Sequence, residues 1–124
     1  YDEFETYNFD NLEFNASELY GTENTDRTEN DIILKKDSIQ YGPYVNLEKG
    51  TYEITIMGEN LDEANFDVLP NSTKVIYQNF KSKTNVVKYT LILNSDTNSL
   101  EFRTMNTHNL IQVMVNSIKI KKIK

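Results

Sequence analysis

Between residues 50 and 58 the chain reads G-T-Y-E-I-T-I-M-G, and its side chains alternate without a break. Tyr52, Ile54 and Ile56 fall on one side of an extended backbone, with Gly58 after them. Thr51, Glu53, Thr55 and Met57 fall on the other. A period of two is what a strand with one buried and one wetted face requires, and a helix does not reproduce it. Turn chemistry sets the segment off, with Gly42-Pro43 and Glu48-Lys49-Gly50 ahead of it. A chain built around such a segment is committed to a sheet.

The same reading extends in both directions. Residues 17–21, 31–36, 44–47, 66–69, 74–80 and 100–104 are short strands by composition and alternation, Asp37-Ser38 is a turn into Ile39 and Tyr41, and residues 111–115 and 118–123 form a last pair. The run V-V-K-Y-T-L-I-L at 86–93 is rich in β-branched residues and apolar on both faces at its end, which predicts a central strand covered on both sides. Residues 22–30 read as a loop, 58–65 as a polar connection with room for one helical turn, 94–98 as a turn and 105–109 as a loop. About nine strands at spacings near ten residues, with almost no helical pattern, predict an all-β antiparallel β-sandwich. At 124 residues this is a single domain over 1–124. Phe4, Tyr7, Phe9, Leu12 and Phe14 fit neither period, and five large apolar groups rarely stay in water. The segment 1–16 is expected to pack against the body.

Composition excludes several functions. There is no cysteine, so disulfides, thiolate metal sites and cysteine nucleophiles are absent. A formal charge of −6 is the wrong sign for a phosphate backbone, and no nucleic-acid partner is expected. Lys119, Lys121, Lys122 and Lys124 form the one basic cluster; on a strand Lys119 and Lys121 lie opposite Ile118 and Ile120 and read as a solvated edge. No window approaches the roughly 20 apolar residues that span a bilayer, so no membrane insertion is expected. The chain begins at Tyr1, and the expectation is a module excised from a longer protein.

Catalysis has little to stand on. The sole histidine, His108, sits in the loop T-M-N-T-H-N-L, where solvation is the ordinary state. Glu53 and Glu101 could share the outer face of one sheet, but Arg103 beside Glu101 makes an ion pair the simpler account. No catalytic residue and no enzyme activity are expected. Asn24, Asp26, Glu29, Asn30 and Asp31 have the composition of a calcium loop without its D-x-[DN]-x-[DN]-G spacing, so no cofactor or metal ligand is assigned beyond that chance of a structural calcium. Asn15-Ala16-Ser17 and Asn71-Ser72-Thr73 match the glycosylation sequon.

Sugar recognition is different. Pyranose rings stack their C–H faces on aromatic rings and pair their hydroxyls with amides, carboxylates and guanidinium groups. Eight tyrosines and six phenylalanines are available, with no tryptophan. Tyr52 and Tyr89 share faces with aliphatic residues and are expected in the core. Tyr20, Tyr41 and Tyr44 stand beside turns and are the candidates for a stacking platform.

The stretch Y-G-P-Y-V-N-L-E-K-G-T-Y-E-I-T-I-M-G, followed by L-E-F-R and near the end by V-N-S-I-K-I, resembles jelly-roll carbohydrate-binding modules over most of residues 17–124. The likeness is to modules appended to bacterial glycosyltransferases and polysaccharide-export ATPases. The resemblance implies a non-catalytic domain of jelly-roll type that holds a bacterial or environmental oligo- or polysaccharide beside other domains of its parent chain. Its site would lie on a concave sheet face or in the loops at one end. Carried onto this sequence, the ligand-binding residues are Tyr41 and Tyr44 from Y-G-P-Y and Glu101 and Arg103 from L-E-F-R. Asn106, His108 and Asn109 join them from the loop that follows. The compartment would follow the parent: cell envelope or extracellular, or cytoplasmic beside a glycosyltransferase. The alternative is a structural or protein-interaction β-sandwich of a larger cell-envelope protein, with an exposed apolar patch in place of a polar groove.

Overall fold

A computed structural model of the chain describes residues 11–70, 76–79, 83–107 and 110–124. Twelve strands occur among them: β1 (Asn11–Asn15), β2 (Tyr20–Gly21), β3 (Thr25–Arg27), β4 (Ile32–Leu34), β5 (Ser38–Tyr41), β6 (Pro43–Leu47), β7 (Gly50–Glu59), β8 (Ala64–Pro70), β9 (Tyr77–Asn79), β10 (Val86–Leu93), β11 (Thr97–Asn106) and β12 (Val113–Lys122). Single 3₁₀ turns stand at Ala16–Glu18 and Leu61–Glu63. No helix among the described residues is long and apolar enough to cross a membrane.

The strands form two six-stranded sheets. The first runs β10-β7-β12-β4-β3, with β1 also on β12; the second runs β2-β5-β11-β8-β9, with β6 also on β11. All the pairings are antiparallel. Strand β7 is the spine of the first sheet. Its Tyr52, Ile54 and Ile56 are completely buried and meet Leu91, Tyr89 and Val87 of β10 on one side and Ile120 and Ile118 of β12 on the other. The second sheet supplies Val45, Leu47, Phe66, Val68, Leu100 and Phe102 to the same core. Each such side chain taken fully out of water contributes about 1.5–3 kcal/mol. The alternation seen in the sequence is the division between this core and the two outer faces.

Four local expectations are corrected. Strand β10 is an edge strand rather than a central one among the described residues: there it pairs with β7 alone, and Ile92 in its final apolar run is 65% exposed. The last two predicted strands are one, β12, whose pairing with β7 shifts between Val115 and Ser117; a bulge, not a turn, accounts for the polar Asn116-Ser117. Within the predicted loop 22–30, residues Thr25–Arg27 pair with β4. Gly42-Pro43, read as a turn, is a break within one continuous line of pairing: β5 and β6 lie end to end along β11, and the Phe102 amide donates to the Gly42 carbonyl between them at 2.8 Å. The Gly42-Pro43 peptide is cis.

Candidate tyrosine face and end cleft

The break between β5 and β6 decides which side chains share a surface. Gln40 and Val45 are both buried, yet residues an odd number apart on a regular strand face opposite ways. One residue must therefore be extra. The pairing identifies it: Val45 opposes Leu100 and Pro43 opposes Glu101, so two steps on β6 match one on β11. Tyr44 is the surplus residue of a β-bulge, and its φ of 69° places it in the left-handed region, where a bulky side chain is strained. The result is that Tyr41 and Tyr44, three residues apart, stand on the same outer face of the second sheet.

Tyr20 completes the cluster. It is the register partner of Tyr41 across β2 and β5, and the rings stack with centroids 5.5 Å apart and planes at 19°. Tyr44 lies 5.7 Å from Tyr20 at 50° and 6.4 Å from Tyr41 at 69°. Tyr20 and Tyr44 remain 48% and 39% exposed. Gly42 makes room beneath: it has φ 91°, and a Cβ there would stand 2.7 Å from Tyr20 Cδ2.

Polar groups border the rings. The Tyr44 hydroxyl donates to Glu101 Oε1 at 3.4 Å. Arg103, two residues along β11, donates from Nε and Nη2 to the two oxygens of Asp67 at 2.7 and 2.5 Å. Asp67 is its register partner on β8. This hydrogen bonding raises the Arg103 pKa above its ordinary value against the opposing effect of desolvation, with the Asp67 and Glu101 charges adding to the rise. The ion pair expected between Arg103 and Glu101 is made instead to Asp67. A charge set between Phe66 and Val68 was the available signal, because it has to face away from the core. Glu53 and Glu101 do not share a face either; they belong to different sheets.

The remaining expected residues divide. Asn106 is fully buried, and its side-chain amide donates to the carbonyls of Leu34 and Ile111 at 2.7 and 2.8 Å. It is placed as an interior tie, away from the rings. His108, Asn109 and the sequon at Asn71 lie outside the described residues. The acidic loop with the composition of a calcium loop is occupied locally: Asp26 contacts Lys35 at 2.8 Å, and the Asn24 amide donates to the Lys36 carbonyl at 3.0 Å. No three acidic or histidine side chains converge among the described residues.

A second concavity, of about 710 Å³, opens at one end of the sandwich between Asn60, Asp62, Glu63, Thr84 and Gln112. The Asn60 amide fixes its rim by donating to the Gln112 carbonyl at 2.8 Å, and Leu110 stands in it 96% exposed. None of the residues predicted from sequence lines it among those described.

No family model matches the chain, and no curated protein sequence matches it significantly. Solved structures do. The C-terminal carbohydrate-binding module of a marine laminarinase from Zobellia galactanivorans superposes with a TM-score of 0.63 at 16% identity, covering 90% of this chain and 99% of that one. A carbohydrate-binding module of lichenase 5A from Cellvibrio mixtus, in complex with cellotriose, gives 0.64 at 12% identity over 91% and 98%. A low-affinity xylan-binding module from Roseburia intestinalis gives 0.62 at 12% identity over 90% and 95%. The chain therefore has the two-sheet jelly-roll fold of carbohydrate-binding modules.

Proposed function

We propose that this protein is a non-catalytic carbohydrate-binding module and that it holds its glycan on the outer face of the second sheet, across Tyr20, Tyr41 and Tyr44. The observation that carries the reading is the bulge at Tyr44. A strained left-handed tyrosine is retained where a regular strand would have sent that side chain inward, and it joins two other rings in water. Such a cluster offers C–H stacking surface, while Arg103 offers hydrogen bonds to hydroxyls at its border; Glu101, expected at the ligand, is only 4% exposed and holds the Tyr44 hydroxyl from below. The fold shared with modules that bind cellotriose or xylan supports the same reading.

The parent context expected from the sequence, a glycosyltransferase or an export ATPase, has no counterpart among the structures named above, two of which come from a laminarinase and a lichenase. The neighbour we infer is a domain acting on the glycan that the module holds. Enzymatic activity of the module itself is not part of the proposal.

The experiment is affinity electrophoresis and calorimetry with xylan, β-glucan and mannan, comparing the native chain with Tyr41→Ala and with Gln112→Ala in the end cleft. Loss of one stacked ring is expected to weaken binding about tenfold, with the melting transition retained and with Gln112→Ala unaffected. Binding that survives Tyr41→Ala but is lost in Gln112→Ala would move the site to the end cleft. Failure of the folded protein to bind any glycan at millimolar concentration would reject the function.

A further inference from the structure

The outer face of the first sheet carries a groove that shares no residue with the tyrosine face. Lys88 on β10 and Lys119 on β12 are both register partners of Thr55 on the intervening β7. Their backbones are two strand spacings apart, roughly 9.6 Å, with the Thr55 hydroxyl between the two stems. Lys121 lies two residues along β12, opposite Glu53, and Lys83 joins from the segment ahead of β10. Together they line a cleft of about 580 Å³. Four lysines face one glutamate there, in a chain whose formal charge is −6.

The solvated-edge expectation for Lys119 and Lys121 does not describe this arrangement. Strand β12 is internal to the sheet, between β7 on one side and β1 and β4 on the other, so both lysines project from its face. Like charges drawn from three elements repel one another, and acidic neighbours offset little of it. Lys119 approaches Glu13 only to 3.9 Å, with both side chains more than half exposed, a geometry worth little. An anionic ligand would complete the balance.

The rest of the lining narrows the ligand. Asn11 and Asn85 contribute amides, and Met57 and Val86 an apolar floor; these suit hydroxyls and C–H faces between the charges. We propose that this cleft binds an acidic polysaccharide, with carboxylate or sulfate groups paired to Lys88, Lys119 and Lys121. A nucleic acid strand carries a charge about every 3.4 Å and would run past the lysines onto Glu13 and Glu53. A glycan charged once every sugar or two spaces its anions to match lysines separated by amides. The inference stands independently of the tyrosine-face reading.

The test is affinity electrophoresis and calorimetry with polygalacturonate, alginate and chondroitin sulfate, alongside neutral xylan and single-stranded DNA. The native chain is expected to bind at least one acidic glycan, weakening at least tenfold between about 0.02 M and about 0.5 M salt as the charges are screened. Lys88→Glu with Lys119→Glu is expected to abolish that binding, and Tyr41→Ala to leave it unchanged. Lys88→Gln with Lys119→Gln serves the same end if the charge reversal perturbs folding. The proposal is overturned if no acidic glycan is bound, if folded lysine variants bind as well as the native chain, or if DNA binds as tightly as the best acidic glycan.

Discussion

The ring of Tyr20 lies so close over Gly42 that a Cβ on Gly42 would meet Tyr20 Cδ2 at 2.7 Å. Any side chain at residue 42 must also adopt φ near 91°, which L-residues resist. Gly42→Ala is expected to cost about 1–3 kcal/mol, read as a lower melting temperature, and to displace Tyr20 from the stack. Glycan binding should fall by more than the loss of folded fraction explains. A variant that melts like the native chain would show that the ring simply yields.

Arg103 and Asp67 make a second prediction. Removing the guanidinium strands a carboxylate that is only 4% exposed, so Arg103→Met should cost about 2–4 kcal/mol. Replacing both partners, Arg103→Met with Asp67→Leu, should cost less than the single change, because the buried Asp67 charge is removed together with its partner. Denaturant titration of the two variants checks this, and a double variant weaker than the single would refute it.

Tyr52 gives a pH dependence. Its hydroxyl donates to the Glu48 carbonyl at 2.6 Å, and burial raises its pKa above the ordinary 10.0, with Lys122 working in the opposite direction. A group with a raised folded pKa holds its proton more tightly in the native state, so its contribution is complete below pH 10 and is lost as pH climbs through the folded value. Thermal melts from about pH 9 upward should show alkaline destabilisation that is smaller in Tyr52→Phe. At neutral pH the same variant should be weaker by about 1 kcal/mol for the lost hydrogen bond.

Gly58 is demanded by proximity. It sits where the β7–β12 pairing shifts, opposite Val115, and a Cβ there would stand 1.9 Å from the Met114 carbonyl oxygen. Backbone cannot give way as a flexible side chain can, so Gly58→Ala should cost at least about 3 kcal/mol. Ile54→Val, on the same strand but in the open core, should cost about 0.5–1.5 kcal/mol. Similar losses in the two would contradict the argument.

What the sequence made legible was the division of inside from outside wherever a strand alternates regularly, as β7 does. Strand β10 alternates too, but its closing Leu91-Ile92-Leu93 reads as doubly buried, because composition does not say whether a neighbour covers Ile92. The tyrosines were picked out by their place beside turns. Their common face was not foreseeable, since it rests on the one-residue slip at Tyr44, and a slip inverts every parity downstream of it. The lysine groove was half visible: Lys119 and Lys121 stand together in the chain, while Lys88 and Lys83 reach them only through the β10-β7-β12 order. Asn106, expected at a ligand, stands instead inside the molecule.

That interior asparagine has a mechanical consequence. The Asn106 side chain on β11 grips the Leu34 carbonyl of the opposite sheet and the Ile111 carbonyl leading into β12, while the main-chain carbonyl of Asn106 accepts from the Asp37 amide at 2.7 Å. Prying the layers apart would strand several buried polar groups at once. The two sheets are therefore riveted, and amide protons of β7 and β11 should exchange with deuterium as one cooperative block. In Asn106→Ala the block should split, with the layers opening at separate rates.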